Sequence, residues 1–464
     1  MIARPPRPFP TLFPALIAAI CLSSPRAFAN GAFPEVSQLV ADPGDSTHLV
    51  LRSNFGLLTT HDGARTWDLV CEGGIGYQNV EPPVAVLGAG TTIAALSNGI
   101  AYGSVDECQY GPGAGVTSYV ADVARVPDTS LEAVAISVDF DQNSSQVWHT
   151  TDGGASWAAW GKPLVDLNAA TIEVASSDAQ LLYVSGISQS DTVRGVFARS
   201  EDGGQSFGRF AVPGASRASV PYIAAVAANV PDTVYVRLSG TPGSLLATQD
   251  GGQSFRDVLD FSGPFDGFAL SPDGRYALAA GRSDGVWRAR TSTLSFERLS
   301  CAHLRCLSWS DAGLFACADE FEAGFLVGQS SDLGFSFEPR LHLSCLRGPL
   351  SCPDDSTVGQ SCTAAWPMIS EQLGSDCANA SDFMPSTDCA SSSGSGSGGG
   401  TSSAIAGATT TPAGAAGSDV RAHGGGCALG ESSSAARAWP IALAGLGWLR
   451  RRRIWRRSRG LSVS

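Results

Sequence analysis

Between its two ends, this 464-residue sequence has no stretch with a sustained 3.6-residue apolar period, which excludes a helical repeat or bundle. Basic residues are scarce there too. Of 30 Lys and Arg, three precede residue 30 and seven fall between Arg450 and Arg459, leaving 20 against 43 acidic residues, or about −23 for the body. Nucleic acid and anionic lipid both demand a basic face, so neither is an expected partner of the body; the acidity reads as solubility outside the cell. No apolar run reaches the roughly 20 residues that span a bilayer. Paired CxxC or HxxxH spacings are missing, so no metal or other cofactor is expected. HExxH is absent and there is no convincing nucleophile elbow, so no catalytic residue can be assigned.

What is present is a repeat. Seven times a short apolar strand runs into a tight turn followed by an aromatic, as in Val147-Trp-His-Thr-Thr-Asp152-Gly-Gly-Ala-Ser-Trp157. The turn sites are Asp62, Asp106, Asp152, Asp202, Asp250, Ser292 and Asp332, at intervals of 44, 46, 50, 48, 42 and 40 residues. That period matches one four-stranded propeller blade. Upstream segments such as Leu181-Leu-Tyr-Val-Ser185 and Thr233-Val-Tyr-Val-Arg237 are short and β-branched or aromatic, preceded by turn dipeptides. The expectation is an all-β, seven-bladed β-propeller over 30–345. Trp67, Trp157, Phe207, Phe255, Phe296 and Phe337 recur at one position of the repeat and are expected between sheets. In the turn, the Asp carboxylate accepts backbone N–H groups while glycine supplies positive φ. Because Asp62, Asp152, Asp202, Asp250 and Asp332 recur in every well-formed copy, they are expected to lock turns. A catalytic acid is needed once or twice only.

The pattern Ser/Thr-x-Asp-x-Gly-x-Ser/Thr-aromatic resembles the Asp-box, or BNR, repeat. The copies at Asp152, Asp202, Asp250 and Asp332 match it fully, and the copy at Asp62 has Ala64 in place of the last glycine. The resemblance covers about 33–345 and implies a propeller of the sialidase and sortilin-like type; xyloglucan-active glycosidases and photosystem assembly factors are similar. It leaves the activity open. Sialidases carry an Arg-Ile-Pro motif before the first repeat, whereas Arg52-Ser-Asn54 stands here, which argues against that activity. The run Asp139-Phe-Asp-Gln-Asn143 starts like a calcium loop but has Ser144 in place of the turning glycine, so it reads as a polar loop.

The ends supply an address. Arg4 and Arg7, an apolar run from Thr11 to Leu22 and Ala27-Phe-Ala29 read as a signal peptide, 1–29, cleaved after Ala29. Residues 390–426 are almost wholly Ser, Gly, Ala, Thr and Pro and read as a flexible stalk. In 427–464, Cys427 follows a glycine run and precedes the apolar segment Ala438 to Leu449 and an Arg cluster. This order resembles the C-terminal sorting signal of exported myxobacterial proteins. It implies processing near Cys427 by a sorting protease and retention at the cell surface, with membrane association confined to the tail.

Setting aside Cys21 and Cys427, ten cysteines remain, an even number in an exported domain, and disulfides are expected. Cys71 and Cys108 stand apart from the others and are expected to pair with each other. Cys306 and Cys317 flank a hairpin at Ser310-Asp-Ala-Gly313 and are expected to face each other. Cys301, Cys345, Cys352, Cys362, Cys377 and Cys389 are expected to staple a cap, 346–389, among themselves. The functional expectation is a surface-displayed, non-enzymatic module that recognises a glycan or a protein; the alternative is a surface glycoside hydrolase using an acidic pocket on a propeller face.

Overall fold

The computed structural model describes residues 34–77, 81–190, 194–374 and 377. The chain divides into two compact units, 1–393 and 394–464; the described residues all belong to the first. Ala29, Cys389, Cys427, the signal segment, the stalk and the tail lie outside the described residues.

Seven four-stranded antiparallel sheets form in strict chain order. Blades 1 to 7 cover 36–71, 84–112, 119–165, 168–212, 221–260, 267–300 and 304–341. Their innermost strands contact one another in sequence, and Leu304–Ser310 of blade 7 contacts Val36–Ala41 of blade 1, closing a ring. The second and third strands are the most apolar and the most buried, as Leu49–Ser53 and Gly56–Thr60 illustrate. They are covered on both faces by neighbouring blades, so their sequences read as apolar runs. Outer strands such as Arg256–Asp260 are exposed or half-buried along their length.

The recurring turn is built the same way in five blades. In blade 3, Thr150 Oγ1 donates to Asp152 Oδ1 at 2.8 Å, while the Ser156 backbone N–H and hydroxyl donate to the two carboxylate oxygens at 2.9 and 2.6 Å. Asp62, Asp202, Asp250 and Asp332 accept the equivalent sets. These bonds favour the charged form: the Ser206 and Ser254 hydroxyls first, then their backbone N–H groups, hold Asp202 and Asp250 at about 2. The turn also tucks under the preceding blade. Gly252 has φ +100°, and a Cβ there would lie 2.4 Å from the ring of Phe197, so the sheet packing itself requires glycine. Trp67 and Trp157 are buried, and Phe207, Phe255, Phe296 and Phe337 are half-buried against the inter-blade clusters.

The cysteines behave differently from the sequence expectation. Cys71 pairs with Cys362 and Cys108 with Cys352, so Cys71 and Cys108 do not bond each other. Cys306 pairs with Cys317 across adjacent strands as expected, and Cys345 pairs with Cys377. The segment after blade 7 is therefore a latch as well as a cap. Around residues 347–350 it runs parallel to the outer strand of blade 1: Leu69 N–H donates to the Gly348 carbonyl at 2.7 Å and Leu350 N–H to the Leu69 carbonyl at 2.9 Å. Arg347 pairs with Asp68 through both guanidinium branches.

A helix, Thr357–Leu373 (α1), then packs on the short helix Glu72–Ile75 and on blade 1, a second departure from the sequence reading, which found no helix in this region. Ser356 caps it by accepting the Gly359 N–H. Its buried side chains Val358, Cys362, Ile369 and Leu373 follow a helical period that Pro367 masks. Because each blade uses its own four consecutive strands, no shared sheet joins the first blade to the last; the latch and its two disulfides supply a covalent tie.

Candidate functional site

The inner strand of every blade is a sheet edge, and its unpaired N–H and C=O groups need partners. Side chains from the preceding blade provide several. Gln38 bonds both backbone groups of Val84, at 3.0 and 3.1 Å; Asp122 Oδ2 accepts the Ile172 N–H at 3.0 Å; and Thr171 Oγ1 accepts the Ile223 N–H at 3.0 Å. These bonds stitch blades 1 to 2, 3 to 4 and 4 to 5 around the axis.

The ring they form encloses a cavity of about 430 Å³ lined by residues from all seven blades: Val40, Val86, Arg125, Glu173, Val226, Leu270 and Trp309 among them. The walls are mostly Val, Ala and Leu, with Glu173, Arg125, Gln38 and Ser176 as polar exceptions. A concave site of this size, whose exposed lining is more polar than apolar despite its aliphatic residues, suits a small ligand or a protruding part of a larger one. Burial first, then the neighbouring Asp122 charge, pushes the Glu173 carboxyl up to about 8, with Arg125 opposing. A carboxyl so raised favours its protonated form at neutral pH, which has an O–H to offer a hydroxyl or carbonyl oxygen.

Asp122 is raised to about 7 by burial, against the pull of its backbone bonds to Ile172 and Val123 and of Arg52 and Arg237. Both of its oxygens are engaged, Oδ1 by Val123 N–H at 2.9 Å and Oδ2 by Ile172. Arg52 donates from Nε to Ser37 Oγ at 3.0 Å, and Arg237 lies 4.5 Å over the Tyr222 ring while donating to the Phe265 carbonyl. Burial lowers both guanidinium pKa values. An ion-pair chain, Asp266 with Arg282, Arg282 with Glu35, Glu35 with Arg305, and Arg305 with Asp319, ties blades 6 and 7 to the residue preceding blade 1.

None of the sequence-predicted residues lines this cavity. The turn acids sit at the outer turns, and Asp139 of the calcium-like run closes an ordinary hairpin by accepting the Asp141 and Gln142 N–H groups at 3.0 Å. A second cavity, about 370 Å³, separates blade 2 from α1 but is walled largely by glycine backbone and Leu96, Ile100 and Val116. The residues best arranged to hold a metal ion lie apart from both cavities, between blades 1 and 2.

No family model matches the sequence, and no curated protein matches it. Among solved structures, an ancestral GH74 enzyme overlays with a TM-score of 0.50 at 14% identity, over 66% of this chain and 46% of that one. The likeness is one of fold. A GH74 enzyme of Niastella koreensis overlays at 0.43 and 15% identity, over 55% of this chain and 44% of its own. The extracellular domain of a putative one-component system from B. thetaiotaomicron does so at 0.45 and 12%, over 62% and 37%. The chain thus spans less than half the length of each of these three.

Proposed function

We propose that this protein is an exported, non-enzymatic recognition module that engages a glycan or protein at its axial cavity, displayed on the cell surface through its C-terminal tail. The observation that carries this reading is the state of the two axial carboxyls. Hydrolysis of a glycosidic bond needs a free acid and a free carboxylate flanking it. Glu173 alone lines the cavity, while both oxygens of Asp122 are committed to backbone N–H groups that hold blade 3 to blade 4. One protonated carboxyl among Val, Leu and Trp309 suits recognition of a sugar ring or an apolar side chain bearing a hydrogen-bond acceptor. Disulfides at Cys71, Cys108, Cys306 and Cys345 fit an oxidising compartment outside the cytosol. The Asp-box reading of the turns and the sorting reading of Cys427 belong to the same proposal.

The experiment is binding and product release in parallel: purified protein against a panel of polysaccharides, sialosides and cell-surface proteins, with Glu173→Leu beside wild type. Binding without release, weakened by Glu173→Leu, is the expected result. Sugar release would replace the proposal with the second reading, a glycoside hydrolase, which the closeness of Glu173 to Asp122 favours.

A further inference from the structure

Blade 2 breaks the pattern of its neighbours at one residue. In blades 1, 3, 4 and 5 the residue after the turn acid is glycine at φ +67° to +75°: Gly63, Gly153, Gly203 and Gly251. In blade 7 it is Leu333, at φ +61°, and in blade 2 it is Glu107, at φ +55°. A side chain larger than Asn in this region costs on the order of 1 kcal/mol or more. The residue is moreover 0% exposed, so a carboxylate is placed in the interior on a strained backbone. The positive φ belongs to the turn, whose Glu107 N–H donates to the Ser104 carbonyl at 2.8 Å, but the buried carboxylate does not, since the Ser104 and Asp106 side chains supply the turn's other bonds.

The Glu107 carboxyl meets two histidines of blade 1. His48 precedes the strand Leu49–Ser53, and His61 precedes the turn acid Asp62. Their rings stack at 4.4 Å, nearly parallel at 12°, and both present Nε2 to Glu107, at 3.5 Å from His48 and 3.3 Å from His61. One ligand atom from each of the three lies within 4.8 Å of the others. Metal bonds of about 2.0–2.1 Å at tetrahedral angles place ligand atoms roughly 3.3–3.5 Å apart; each imidazole already stands at that spacing from the carboxylate, His48 from Oε1 and His61 from Oε2.

Three further observations point to an occupant. His48 Nε2, Glu107 Oε2 and Thr59 Oγ1 are buried without a well-formed hydrogen bond, although both imidazoles and the Thr59 hydroxyl face the Glu107 carboxylate. Such groups are costly unless something satisfies them. The other nitrogen of His48, Nδ1, lies 3.0 Å from Asp42 Oδ2, and Asp42 is itself held by the Gly44 N–H at 2.7 Å. That carboxylate–imidazole arrangement orients Nε2 outward and is the usual support of a metal-ligating histidine. Thr92 Oγ1 fixes Glu107 Oε1 from the far side at 3.0 Å. Finally, the His61 side chain is 44% exposed, which leaves an entry path and an open coordination position for water.

We propose that His48, His61 and Glu107 bind one divalent first-row cation of the zinc type between blades 1 and 2. Two imidazoles and one carboxylate select such a cation over calcium or magnesium, which prefer all-oxygen shells. The competing account is a metal-free cluster in which protonated imidazole balances the carboxylate.

The test uses the untagged full-length protein, stripped with chelator and titrated with Zn²⁺ by calorimetry and with Co²⁺ by visible absorption. One Zn²⁺ per chain is expected, with a Co²⁺ ligand-field spectrum and a thermal midpoint that rises with free Zn²⁺. His61→Ala should weaken Zn²⁺ binding by at least about tenfold, a loss no smaller than that from changing a supporting residue. It should leave the metal-free midpoint unchanged, because the ring is half exposed. Glu107→Gln keeps the shape and should abolish the Co²⁺ spectrum; His149→Ala, remote from the cluster, should change neither. No stoichiometric Zn²⁺ binding, or binding unaffected by both His61→Ala and Glu107→Gln, overturns the proposal in favour of the metal-free cluster.

Discussion

Removing the two latch disulfides should cost unequal amounts depending on order, and the difference can be worked from topology. Cys71–Cys362 and Cys108–Cys352 span 291 and 244 residues, one nested inside the other. In the chain-entropy picture a lone crosslink of either size stabilises by roughly 5–6 kcal/mol. Once one is present, the second closes only the 47-residue difference between the two spans, and its contribution falls to roughly 4 kcal/mol. Replacing either pair by alanines should therefore lower the unfolding free energy by roughly 4 kcal/mol, and replacing both by roughly 10 kcal/mol. The pair Cys306 and Cys317, separated by 11 residues, is the control for lost side-chain volume and should cost roughly 3 kcal/mol. Guanidinium unfolding followed by Trp fluorescence measures all four proteins; the slope should rise with each lost crosslink as the denatured chain expands. The reasoning is refuted if the four-alanine variant is no less stable than either two-alanine variant, or if removing either latch pair costs less than the control.

Three other outcomes are expected. Burial holds Glu173 at about 8 in the folded state, against about 4.3 unfolded. Wild-type stability from this group is therefore full below about pH 4 and declines as pH rises through 8. Urea unfolding across that window should show Glu173→Gln gaining on wild type by about 1.4 kcal/mol per pH unit, then levelling off; a pH-independent difference would contradict the assignment. Asp152→Ala removes the acceptor for Thr150 and for both Ser156 donors and should lower stability by about 1 kcal/mol in calorimetry, with ligand binding intact; lost binding at unchanged stability would assign the turn acid a functional role. Cys427→Ala should shift the protein from the membrane fraction to the medium, and unchanged retention would point to a plain tail anchor.

Where the chain's neighbours in space are also neighbours in sequence, the reading from residues was sound. Each turn closes within five residues, so Ser/Thr, Asp, Gly and an aromatic at fixed offsets reveal the hairpin, and seven such hairpins at blade spacing reveal the propeller. The Cys306–Cys317 pair was legible for the same reason. Two local signals were overlooked: the capped helical period in Thr357–Leu373, obscured by Pro367, and Glu107 standing at a glycine position.

The rest could not be read along the chain. Cys71 and Cys108 stand apart from the other cysteines along the chain, which marks each as the other's partner, whereas their actual partners arrive 291 and 244 residues later, when ring closure brings the end of the chain back to the first two blades. Glu173 and Asp122 look like ordinary polar positions on strands until seven inner edges converge and half-bury them around the axis, and His48, His61 and Glu107 become one cluster only when blade 2 packs on blade 1. Sequence by itself determined the blade, because turn geometry depends on contiguous residues; tertiary structure decided the sites, because desolvation and ligand geometry arise where separate blades meet.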